Sequence, residues 1–175
     1  MKSVKYLSLI LVLVLASSCQ KTPIYPDYPI ITFKSFTSYG PDSAHIVLNF
    51  TDGNGQIGNG TNNDLTGPPT IFYQWMMDTN NSGHFIPYYS IVGKNDTNWA
   101  IQNYDIPSLT PTGKDKGISG LIQVKLGESP LVPPPTNAWY RPFMKGYTIE
   151  FRIWVIDRNG IKSNIVTTTP FTVPN

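Results

Sequence analysis

YTIEFRIWVID, residues 147–157, is the stretch on which the fold turns. Tyr147, Ile149, Phe151, Ile153 and Val155 alternate with Thr148, Glu150 and Arg152. A two-residue period puts one set against a core and the other in water, as in a strand of an antiparallel sheet. The stretch runs into Asp157-Arg158-Asn159-Gly160, where Asn-Gly favours a tight hairpin turn. On either side, runs rich in Ile, Val, Thr, Tyr and Phe and bounded by turn residues predict strands over 30–36, 44–51, 71–77, 84–89, 99–104, 118–126 and 165–173. No window of a dozen residues shows the 3.6-residue period, and 14 Gly and 16 Pro punctuate the chain. Many short strands without helices predict an all-β domain of two packed sheets.

The first residues have a different grammar. Lys2 and Lys5 precede an apolar run, LSLILVLVL over 7–15, and then the small residues Ala16, Ser17 and Ser18. That is the layout of a secretory signal. The run is too short to span a bilayer, which takes about 20 residues. Cys19 follows at once and is the single cysteine of the chain, so it has no internal disulfide partner. The arrangement resembles a lipobox, whose cysteine is acylated and becomes the mature N-terminus; Ala16 stands where the usual lipobox has Leu. Acyl chains contribute about 0.8 kcal/mol per buried CH₂, so two or three anchor a soluble domain firmly. Pro23, Pro26 and Pro29 recur every third residue, the repeat of polyproline II. The sequence therefore predicts a signal peptide over 1–18, a lipidated Pro-rich tether over 19–29 reaching roughly 30 Å, and one domain over 30–175.

Loss of Lys2 and Lys5 with the signal leaves 11 Lys+Arg against 11 Asp+Glu. With no basic cluster, nucleic-acid binding lacks its electrostatic footprint.

The lipobox and Pro-rich tether, followed by IITFKSFTSYGPDSAHIVLNFTDGNGQIG, then IPSLTPTGKDKGISGLIQVKL and YTIEFRIWVIDRNGIKSNIVTT, resemble a group of Bacteroidetes lipoproteins. The resemblance implies an immunoglobulin-like antiparallel sandwich of about eight strands and an outer-membrane lipid anchor, facing either the periplasm or the cell surface. It implies no activity. In that group the loop after the second strand reads DGDGDIG; here Asn54 and Gln56 replace the two later acids.

Residues 53–58 match G-x-G-x-x-G after a strand, but Asn, Gly and Pro follow and no helix can start to cradle a pyrophosphate. Asp52, Asn54 and Gln56 at alternate positions, with Asp64 nearby, offer oxygens for at most a weak Ca²⁺ site, or else form a turn bonded to its own backbone. His45 and His84 have no partner at metal spacing, and Glu128 and Glu150 are the only glutamates. Catalytic constellations are lacking, so the expectation is a non-enzymatic binding module for a protein or envelope component. The alternative is a carbohydrate-binding lipoprotein of a glycan-uptake system, with Tyr88, Tyr89, Trp99, Trp139 and Tyr140 as a stacking platform. Trp154, Ile156 and Leu121 fall on outward positions and form a candidate interface if they cluster. The competing expectation is that the 129–143 segment folds over and buries them.

Overall fold

In the computed structural model, residues 24–40, 43–58, 70–88, 101–109, 111, 116–127 and 144–174 are described. Among the described residues, nine strands follow one another: β1 (Ile30–Ser38), β2 (Ala44–Asp52), β3 (Ile71–Asp78), β4 (Ile86–Pro87), β5 (Ile101–Tyr104), β6 (Ile118–Leu126), β7 (Thr148–Val155), β8 (Val166–Thr167) and β9 (Phe171–Thr172). One sheet has the order β1-β2-β6. In the other, β3 lies between β7 and the short strands β4 and β5, and the far edge of β7 pairs β8 and β9. Every pairing is antiparallel. No helix of two turns occurs among the described residues. The expected immunoglobulin-like sandwich is the observed one.

Alternation builds the core. Ala44, Ile46, Leu48 and Phe50 of β2 face Ile71, Tyr73, Trp75 and Met77 of β3 and Ile149, Phe151, Ile153 and Val155 of β7, all buried. Trp75 packs at 6.4 Å on Phe151, which also receives Phe36 at 5.8 Å and Tyr73 at 5.9 Å. In antibody domains a tryptophan on the equivalent strand packs on an inter-sheet disulfide; with no second cysteine, an aromatic cluster occupies that position.

Three strands depart from simple alternation. The β1–β2 register shifts between Phe33 and Ser35, so Lys34 is an extra residue. This bulge lets both Phe33 and Phe36 pack against the core although they are three apart. The single strand expected over 165–173 is two, with the register on β7 moved by one residue between them. Pro170, which lacks an N–H, sits in the gap. The strand expected over 84–89 contracts to Ile86–Pro87. Tyr147, expected to face the core, is exposed, because it belongs to the turn in which its N–H donates to Met144 O.

The expected tether is partly fold. Gly53 N–H donates to Pro26 O at 2.7 Å, Asn54 Nδ2 to Asp27 O at 2.8 Å, and Tyr25 OH to Ser119 Oγ at 3.2 Å. A Cβ at Gly53 would collide with the backbone oxygens of Tyr25 and Pro26, so this approach requires glycine. Residues 24–29 are thus a strap across one end of the sandwich.

Candidate functional site

The strap lies at the end where β2, β5 and β7 finish and β3 and β6 begin, called here the entry end. Its loops are held by carboxylates. Asp52 closes β2 fully buried; one oxygen accepts Asn54 N–H at 3.3 Å and the other Gln56 N–H at 2.8 Å. Asp157, just beyond β7, accepts Asn159 N–H at 2.9 Å and Ile161 N–H at 2.7 Å through Oδ1. At the opposite end Asp78 closes β3 in the same way, accepting Asn80, Ser82 and Gly83 amides. Burial raises the Asp78 carboxyl, but those amides and the Ser82 hydroxyl outweigh it and leave it below the usual carboxylate range. Arg158 joins the entry-end loops: Nη1 donates to Ser108 Oγ at 2.8 Å, Nη2 to Gly55 O at 3.0 Å, and the backbone N–H to Gln56 O at 3.1 Å.

Beside this end a cleft of about 460 Å³ opens between the sheets. It forms because β6 and β5 are edge strands of facing sheets, and twisted sheets diverge at their edges. Residues 121–125 make one wall, residues 104–109 the other, and Phe50 and Ile71 lie in the floor. The 104–109 segment is fixed by Thr70, whose N–H donates to Tyr104 O at 3.2 Å and whose Oγ1 accepts Ile106 N–H at 2.7 Å. Tyr104 stacks on Tyr73 at 5.8 Å. The lining is mostly apolar, and Asp105 contributes a buried Oδ1 with no hydrogen-bond partner among the described residues. The size suits a small molecule or one inserted side chain.

The sequence-predicted residues separate. Asp52, Asn54 and Gln56 form the hydrogen-bonded turn: Asn54 Oδ1 itself accepts Gln56 N–H at 3.1 Å. Asp64 lies outside the described residues, as do Cys19 and four of the five platform aromatics; Tyr88 packs half-buried against the core. Among the described residues, no three His, Cys, Asp or Glu side chains are placed to hold a metal. Leu121 is exposed at the cleft, near Tyr104 and Leu109. Trp154 is on the other sheet, stacked on Phe72 at 5.6 Å with Lys162 Nζ 4.3 Å above its ring. Ile156 is half-buried and bridges to Lys162. The three do not make one patch, because β6 and β7 belong to different sheets. Gln123 Nε2 donates to His45 Nδ1 at 3.0 Å on an outer face, and His84 is exposed at the opposite end.

Asp105 and Arg158 were not singled out by sequence reading. Arg158 was accessible to it: Asp-x-Asn-Gly occurs at both 52–55 and 157–160, marking paired turns that a residue between them could join. Asp105 carries no such signal. Fold and site together define an immunoglobulin-like sandwich with an open-edged cleft. No protein-family model matches the chain, and no curated protein matches it.

Proposed function

We propose that this protein is a cell-envelope lipoprotein, acylated at Cys19 and held in the outer membrane, whose sandwich is a non-enzymatic binding module. The observation that carries this reading is the N-terminal order of Lys2 and Lys5, a nine-residue apolar run, Ala-Ser-Ser and Cys19. Replacing Cys19 by Ala is expected to move the protein out of the membrane fraction and abolish acyl labelling. Wild-type protein that never takes up label would refute the lipoprotein reading. Protease access on intact cells distinguishes the periplasmic from the surface face.

One observation favours a glycan ligand as the second reading. Tyr104 offers an aromatic surface at the cleft beside Asp105 and Gln123, the mixture that sugars use. A screen of soluble glycans tests it: binding lost in Tyr104→Ala supports it, and absence of binding returns the cleft to a protein side chain. Weak Ca²⁺ binding at the 52–64 loop is not needed by either reading.

A further inference from the structure

Among the described residues, the exposed side chains of Ile24, Tyr28, Tyr104, Leu109 and Ile161 surround the entry end, and those of Tyr39 and Tyr147 lie at the opposite end. Ile24 is 90 % exposed and Leu109 and Ile161 are each 42 % exposed. Their positions follow from the hydrogen bonds: Leu109 N–H reaches Ile57 O, and Ile161 O accepts Asp157 N–H at the tip of the hairpin. Among the described residues, exposed Lys116, Arg158 and Lys162 are interleaved with them, together with exposed Asp27. Apolar groups among cations on one end suit a lipid–water interface, where tyrosines and long aliphatic chains reach the acyl boundary and cations meet headgroups.

The chain length outside the fold selects this occupant over a protein. Five residue steps separate Cys19 from Ile24, and a fully extended chain covers about 17 Å in that distance. The strap is fixed to the entry end by Gly53, Asn54 and Ser119, so it adds no slack. A domain anchored through Cys19 therefore keeps this end next to the bilayer. We propose that the entry end is a lipid-facing surface, with Leu109 and Ile161 seated in the headgroup region and Ser38, Ala44 and the 78–84 turn at the end that points away. The inference rests on the lipoprotein reading for its anchor.

Two separate measurements test it. Mass spectrometry of protein from a lipoprotein-processing host reads acylation at Cys19 and judges the lipoprotein reading alone. For the surface, the chain 19–175, which keeps every described residue, is coupled through its single cysteine to a maleimide-headgroup lipid. The vesicles contain phosphatidylcholine and phosphatidylglycerol, and amide hydrogen exchange is compared with thiol-capped protein in solution. Exchange is expected to slow several-fold over 104–109 and 157–162 and to stay unchanged over 38–45 and 78–84. Leu109→Ser with Ile161→Ser should leave melting unchanged and remove the slowing. Slowing at the opposite end, or none, would overturn the proposal. Concentration-dependent slowing without vesicles would overturn it too, by assigning the face to self-association.

Discussion

At the residue scale, the strand-end aspartates organise the loops. A carboxylate accepting two backbone amides replaces hydrogen bonds that water would otherwise make, and each charge-assisted bond contributes about 1.5–3 kcal/mol. Asp52→Ala should therefore cost about 2–4 kcal/mol in urea unfolding, with or without calcium in the buffer. A loss seen only in the presence of calcium would mean that the oxygens serve an ion instead. Glu150 behaves oppositely to Asp78. Burial pushes its carboxyl above the ordinary 4.5, and Arg152 on the same face pulls it back in part. A raised folded value means that the cost of ionising Glu150 is absent below 4.5 and complete once pH exceeds the folded value. Glu150→Gln is expected to raise the melting temperature slightly at neutral pH, and the gap should close in acid. Asp78, held low, should contribute stability above 3.8 that disappears as pH falls through its folded value.

At the scale of elements, the far edge of β7 shows what alternation conveys and what it conceals. The inward set Ile149, Phe151, Ile153 and Val155 was legible because burial enforces the two-residue period. The partner of that edge was not legible as two strands. Phe151 N–H donates to Thr168 Oγ1 at 3.0 Å and Val155 N–H to Ser163 Oγ at 3.0 Å, so two buried hydroxyls replace ladder carbonyls. Hydropathy reads Ser and Thr as surface residues and misses this use. Thr168→Val, nearly equal in volume, would leave the Phe151 N–H unsatisfied and should cost about 1–3 kcal/mol, measured by chemical unfolding. The strap was concealed for a related reason. Pro23, Pro26 and Pro29 describe an extended chain equally well in solvent or docked; the deciding residue is Gly53, whose missing Cβ admits the Tyr25 and Pro26 carbonyls. Gly53→Ala is expected to release the strap while retaining the sandwich, seen as faster proteolysis within residues 24–29 without loss of the β circular-dichroism signal.

At the scale of the whole molecule, fold class was readable throughout the described residues, but the cleft was not. It depends on which strands become edges, and pairing order is a long-range property that no local pattern encodes. Leu121 was recognised as outward-facing, yet its neighbours Tyr104 and Asp105 come from a distant segment. Trp154 and Leu121 both read as outward, and only the assignment of β7 and β6 to different sheets separates them. The position of the domain relative to the proposed anchor at Cys19 is also a global property. About 20 Gly and Ser residues inserted after Lys21 would add roughly 25 Å of mean reach. Such an insertion should weaken the vesicle-dependent slowing of exchange at 104–109 and 157–162, because proximity would no longer be enforced.

The strap and the direction of β1 also decide how the domain carries a load. Residues 24–29 leave from the entry end, and β1 runs from there to the opposite end along the whole of β2, with partners from Ile30↔Thr51 to Ser38↔Ala44. Tension between an anchor at Cys19 and anything gripped at the far turns therefore acts along the strands. It shears the β1–β2 ladder, straining its hydrogen bonds together instead of peeling them one after another. The Lys34 bulge divides that ladder into two stretches, so the first to yield under force would be the segment between the strap and the bulge, residues 30–33.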